Sequence, residues 1–230
     1  MRTLSVVLYN SRNKDNKDVP NFKERSYSYV VDSEYDLSRI KRDFHFFTSN
    51  GVDAEKSRLY ISNNDRNALK VHRQLQHLLV DDPHLSLPQL PQKIASIASK
   101  KENSASSEWM FDYDAEPSRL QEFVTDVYNA SSIPLSMMVI SQTVTGFFVS
   151  VPHGFDTRAL LSKWTDVGLH RDGMCFYEQA QLIGGTVTSL KPSQQRKEII
   201  DALYQPDEEI SERDEPPVTA YLEKERHSDD

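Results

Sequence analysis

The run Trp109-Met110-Phe111-Asp112-Tyr113-Asp114 constrains this chain more than any other segment. Side chains on a β-strand alternate between faces, so Trp109, Phe111 and Tyr113 are predicted to enter a core while Met110, Asp112 and Asp114 point the other way. A strand with an aromatic inner face needs helices or a second sheet to cover it. The same alternation puts two carboxylates on one face with Cα atoms about 7 Å apart. Mg²⁺ and Mn²⁺ prefer hard oxygen ligands, and Mg²⁺ keeps waters or substrate phosphates as the remainder of its shell. Asp112 and Asp114 are therefore candidate metal ligands. The pair, followed by Pro117, also suits a plain turn and helix start.

The surrounding sequence predicts a mixed α/β (α+β) chain. Residues 3–9 and 26–31 read as strands, and Leu37, Ile40, Phe44 and Phe47 form a helical stripe behind a Ser33 cap. Arg58–Ser62 reads as a strand, followed by a helix marked by Leu69, Leu75, Leu78 and Leu79 and a short one with Ile94, Ile97 and Ala98. The charged, Ser-rich stretch 100–107 is the best internal boundary. Beyond it come a strand at 108–114, a helix with Leu120, Phe123, Val124 and Val127, and strands at 137–141 and 146–151. A helix capped by Asp156, strands at 173–178 and 182–188, and a last amphipathic helix from Ser193 complete the pattern. The β-α-β-β-α-β order is a split βαβ arrangement. The reading divides the chain into an N-terminal α/β module (1–107), a split βαβ core (108–205) and an acidic tail (206–230), and it expects 108–190 to form one antiparallel sheet.

Charge and cysteine content narrow the setting. From Pro206 to Asp230 there are ten acids and three bases, which accounts for −7 of the formal net charge of −8. The rest is nearly neutral, so nucleic acid binding would depend on a local basic patch. The tail, with Pro216-Pro217, reads as a solvated end or as a contact for a protein partner, and is expected to add little to the core. Cys175 is the single cysteine, which rules out an intramolecular disulfide and fits a reducing compartment. No stretch approaches the roughly 20 apolar residues of a membrane helix, and the short apolar start does not read as a secretory leader. The expected location is cytoplasmic, or the host cytoplasm for a viral protein. The seven histidines show no ligand spacing with Cys175, and HExxH, CxxC and GxxxxGK[ST] patterns are absent.

From Trp109 to about Gly185 the chain resembles the catalytic core of archaeo-eukaryotic primases and primase-polymerases, and small phage proteins of that type. Phe111-Asp112-Tyr113-Asp114 matches the family's first motif, an apolar strand ending Asp-x-Asp on an RRM-like antiparallel sheet. Thr143-Val144-Thr145-Gly146-Phe147-Phe148-Val149 aligns with the second motif, where Phe148 replaces the family's triphosphate-contacting histidine. The third motif, an acid near a later strand, is met by Asp172 in Leu169-His170-Arg171-Asp172-Gly173. The resemblance implies a metal-dependent nucleotidyltransferase fold acting on nucleotides or nucleic acid with Mg²⁺ or Mn²⁺ held by Asp112, Asp114 and Asp172. His170 and Arg171 would meet phosphate oxygens. Arg58 and Arg66, flanking a strand-to-helix turn, are further phosphate candidates. The alternative is a non-catalytic nucleic-acid- or protein-binding module descended from that fold, for which a viral source is one reading; Phe148 favours it, and the intact Asp112/Asp114 pair favours the enzyme.

Overall fold

The computed structural model describes residues 2–82 and 84–191. In chain order the elements are β1 (Thr3–Ser11), β2 (Arg25–Asp32), α1 (Leu37–Ser49), β3 (Lys56–Ser62), β4 (Arg66–Asn67), α2 (Ala68–Asp81), α3 (Leu90–Ala98), β5 (Trp109–Tyr113), α4 (Leu120–Ser131), β6 (Val139–Gln142), β7 (Phe147–Val151), α5 (Arg158–Lys163), β8 (Val167–His170), β9 (Met174–Ile183) and β10 (Thr186–Lys191). The mixed α/β class read from the sequence is what the chain adopts. The helix predicted from Ser193 and the acidic segment from Pro206 lie outside the described residues.

Two antiparallel sheets carry the fold. The larger runs β10-β9-β3-β1-β2, with the short β4 also on β1, and the smaller runs β6-β7-β5-β8. The smaller sheet is a split βαβ unit: its first and third strands, β5 and β7, are central and its second and fourth are the edges. Its inner face works as the alternation of β5 requires. Phe111 and Tyr113 are fully buried with Phe123 and Val127 of α4, Leu160 of α5 and Trp164, while Trp109 packs at the margin. Aromatic rings tile this core, with Phe111 edge-on to Phe123 at 5.7 Å and Phe123 edge-on to Trp164 at 5.3 Å, and such pairs add to burial.

The larger sheet is covered on both faces. Val7 and Tyr9 of β1 and Leu59 and Ile61 of β3 pack under α1 through Ile40 and Phe44. The intervening residues face the other way: Val6 and Leu4 meet Val71 of α2 and Ala95 and Ala98 of α3. Local capping differs in detail from the sequence reading. Asp36, not Ser33, caps α1 by accepting from the Ser38 N–H, and Ser33 donates instead to Asp65. Asn67 caps α2, and Leu69 and Leu79 are exposed rather than part of its buried stripe.

The expectation of one sheet from 108 to 190 is not met. The fourth strand of the split βαβ unit is Val167–His170, a segment not read as a strand. Once β7 and β8 flank β5, the smaller sheet offers β9 no place beside β5. β9 instead pairs with β3 from Lys56↔Gln181 to Ser62↔Met174, and β10 follows it through a turn at Gly184-Gly185, both with positive φ. The 108–205 segment is thus shared: up to His170 it builds the smaller sheet, and β9 and β10 complete the N-terminal one. No helix among the described residues is long and apolar enough to cross a membrane.

Candidate functional site

The outer face of the smaller sheet turns towards the larger one and leaves a cleft of about 360 Å³ between them. On β5, Asp112 lies across from Phe148 of β7 and Gly168 of β8, and Met110 lies across from Ser150 and His170. Residues directly opposite share a face, so Met110, Asp112, Phe148 and His170 form one surface, and all four line the cleft. Asp114 follows the end of β5, where the Thr145 hydroxyl donates to its Oδ1 at 3.3 Å. Gly146 makes this closeness feasible, because a Cβ there would stand 2.2 Å from the Tyr113 carbonyl oxygen.

The opposite wall comes from the larger sheet. Asn10 of β1 pairs with Arg58 of β3, and Leu8 pairs with Tyr60, so these four share the face away from α1. Arg12 and Lys14, just past the end of β1, extend this wall. Asp15 pairs with both Arg58 and Arg12, the latter at 3.3 Å, and the Arg58 guanidinium also approaches the Tyr60 hydroxyl at 3.4 Å. The Arg58 Nε–H is buried and has no hydrogen-bond partner among the described residues. Two carboxylates on one wall therefore face three cationic side chains on the other, two of them already paired with Asp15, over a floor that includes Met110 and Phe148. Phe148 is buried against Met110 and Cys175 where the two sheets touch.

The Asp112 carboxyl is held above the ordinary carboxylate range. Burial is the main cause and the nearby Asp114 charge adds to it, partly offset by His170. Like-charged carboxylates in a partly desolvated place favour a cation between them. The donor chemistry fits Mg²⁺ or Mn²⁺, with two carboxylates from the chain and the remaining positions left to water or phosphate oxygens. It does not fit an all-protein cage: among the described residues no three or more His, Cys, Asp or Glu side chains are gathered to hold a metal ion.

Asp172 does not join the pair, which corrects the expected third ligand. Its two oxygens take Arg66 Nη1 at 2.6 Å and Nη2 at 2.7 Å, and Asn64 Nδ2 is 3.4 Å away. Arg66 is correspondingly buried and spent on this carboxylate rather than presented to a phosphate. Asn64 also donates to the Glu108 carbonyl at 3.0 Å and accepts from the Glu108 N–H at 2.7 Å. Together these groups clamp the two chain crossings between the sheets, the entry to β5 and the β8–β9 connection. Arg171 lies over the Trp109 ring at 4.9 Å and is not part of the cleft lining. Of the residues singled out in the sequence, Asp112, Asp114, His170 and Arg58 meet in the cleft, and Asp172, Arg66 and Arg171 do not.

Arg12, Lys14 and Tyr60 were not anticipated as site residues, and Thr145 was read only as part of the second-motif stretch. The available signal was the placement of Arg12 and Lys14 directly after a strand end. No family model, curated protein sequence or solved structure matches this chain.

Proposed function

We propose that the cleft binds the phosphates of a nucleotide or nucleic acid together with a divalent cation, as a nucleotidyltransferase-type site of the primase-polymerase kind. The observation that carries this reading is the facing of Asp112 and Asp114 by Arg12, Lys14 and Arg58 across about 360 Å³. Such a volume is at the small end of the range for ligand pockets. Asp112 and Asp114 would hold Mg²⁺ or Mn²⁺, which when bound neutralises phosphate charge and supports in-line displacement. Lys14, and the guanidinium donors of Arg58 and Arg12 that Asp15 does not occupy, would grip phosphate oxygens with charge-assisted hydrogen bonds. His170, one residue pair along from Asp112, would orient the carboxylate and supply a further donor. The single cysteine, buried and in no intramolecular disulfide, fits work in a reducing cytoplasm.

A second reading, a non-catalytic module for nucleic acid or a protein partner, is favoured by two observations. Phe148 stands directly across from Asp112 and cannot donate a hydrogen bond, and Asp172 is committed to Arg66. Loss of one charge-stabilising donor costs about 10²–10³ in rate. The acidic segment from Pro206, a contact for a protein partner on this reading, lies outside the described residues.

Titration calorimetry with Mn²⁺ or Mg²⁺, with and without a nucleoside triphosphate, tests the binding, and extension of a primed template tests the chemistry. The proposal expects heat that needs Asp112 and Asp114 and grows with the triphosphate. Binding without extension would support the second reading. No heat with any metal and nucleotide would overturn the proposal.

A further inference from the structure

β1 divides its side chains between two faces of the larger sheet. Leu8 and Asn10 line the cleft, while Tyr9 points to the other side, where a separate pocket of about 400 Å³ opens between β2 and α1. Its wall is aromatic: Tyr9, Tyr27 and Tyr29 from the sheet and Phe46 and Phe47 from the helix. α1 lies over β3, β9 and β10, which leaves Tyr27 on the edge strand 37% exposed and Phe46 on the helix 71% exposed. An exposed aromatic pair flanking a concave surface offers a binding face to a small ligand.

Four of the five rings, all but the exposed Phe46, pack on one another. Tyr9 and Tyr29 meet edge-on at 5.6 Å, Tyr27 lies 5.7 Å from Tyr29, and Tyr9 lies 5.6 Å from Phe47. The Tyr9 and Tyr29 hydroxyls are 2.5 Å apart, and the Tyr9 hydroxyl is 3.1 Å from the Ile40 carbonyl. Burial, foremost, holds both phenols above their ordinary ionisation range, and the Asp43 charge adds to this. They stay neutral, and their faces keep the negative electrostatic character that attracts cations.

The charges point to the ligand class. Arg25 also lines the pocket and lies on the Phe47 ring, 4.4 Å from its centroid, with its charge met by the buried Glu55 at 2.5 Å. Asp43 lines the pocket, and among the described residues its ion-pair partner is the exposed Arg42 at 3.9 Å. Arg39 lies beyond Tyr29 in the adjoining trough, which Asp43 also lines together with Asp32, Glu34 and Asp36. The carboxylate left to act on an occupant of the aromatic pocket is that of Asp43. We infer that this pocket binds a small organic cation, a quaternary or alkylated ammonium, against Tyr27, Tyr29 and Phe46, with Asp43 as its counter-ion.

The site is independent of the cleft, so its test needs neither nucleotide nor metal. Choline, tetramethylammonium and the uncharged choline-shaped alcohol 3,3-dimethylbutan-1-ol would be titrated into the full chain while tyrosine and phenylalanine ring signals are followed by NMR. Choline and tetramethylammonium should shift the Tyr27 and Phe46 signals, and the neutral alcohol should bind about 3- to 30-fold more weakly, the range expected for a cation over aromatic faces. Asp43→Asn and Phe46→Ala, both at exposed positions, should each weaken choline by a factor in that range with unchanged circular dichroism. Equal binding of the neutral alcohol, or retention of choline affinity in Asp43→Asn, overturns the assignment. So does an absence of ring shifts up to about 50 mM, far weaker than a millimolar complex.

Discussion

Replacing Asp172 with Ala should destabilise the protein strongly, although the sequence makes this residue look like part of the site. Arg66 is 3% exposed and Asp172 18% exposed at their side chains. The substitution removes two hydrogen bonds of 2.6 and 2.7 Å and leaves a buried guanidinium whose Nε–H already has no partner among the described residues. Removing one member of a buried pair costs about 3–5 kcal/mol, because the other charge is left uncompensated. The partial exposure of Asp172 lets water reach the vacated space, so the lower end, about 3 kcal/mol, is expected. At about 2–4 °C per kcal/mol for a chain of this size, the melting temperature should fall by about 6–12 °C. Urea and thermal melts followed by circular dichroism measure both quantities. The pair Arg66→Met with Asp172→Leu should recover most of the loss, since apolar replacement of a buried ion pair is often neutral. A loss below about 1 kcal/mol would refute the clamp.

Two further outcomes follow from the cleft itself. Gly146→Ala should cost about 1–3 kcal/mol by forcing a Cβ towards the Tyr113 carbonyl, which lies 2.2 Å from where that atom would sit, and it should weaken Mn²⁺ binding by displacing Asp114 and Thr145; urea titration and calorimetry would read the two effects. The raised Asp112 carboxyl means that the folded chain keeps a proton there to higher pH than the unfolded chain, so this contribution to stability is present at low pH and lost as pH rises through the folded value. Asp112→Asn should therefore stabilise the metal-free protein at neutral pH and remove that component of the pH dependence in melting curves. In the native protein Mn²⁺ affinity should keep rising with pH above the ordinary carboxylate range, and a flat profile there would count against Asp112 as a ligand.

Strand periodicity made much of the smaller sheet legible. Trp109, Phe111 and Tyr113 alternate with Met110, Asp112 and Asp114, and the structure uses both faces as that alternation demands. The stripe Leu120, Phe123, Val124 and Val127 was equally plain because every member is buried. Strand partnership was not legible. Val167–His170 is only four residues with a glycine in it, too short to show alternation, yet it takes the open side of β5. That choice sends β9 to β3, and nothing in the composition of Met174–Ile183 distinguishes one sheet from the other. The fate of Asp172 was hidden for the same reason. Its partner Arg66 is 106 residues away, and an acid beside a turn reads alike whether it meets a metal or a guanidinium.

The central claim is that Asp112 and Asp114 place a divalent ion in the cleft opposite Arg12, Lys14 and Arg58. Backbone NMR spectra recorded while Mn²⁺ is added at substoichiometric amounts test this most directly, because the paramagnetic ion broadens only nearby amide signals. The account predicts selective loss of signals from 110–114, 143–146 and 168–170, deepened by a nucleoside triphosphate that extends the effect to 12–14 and 58–60, and absent in the Asp112→Asn, Asp114→Asn protein. Broadening centred elsewhere, or spread evenly over acidic surface positions with the cleft signals intact, would contradict it.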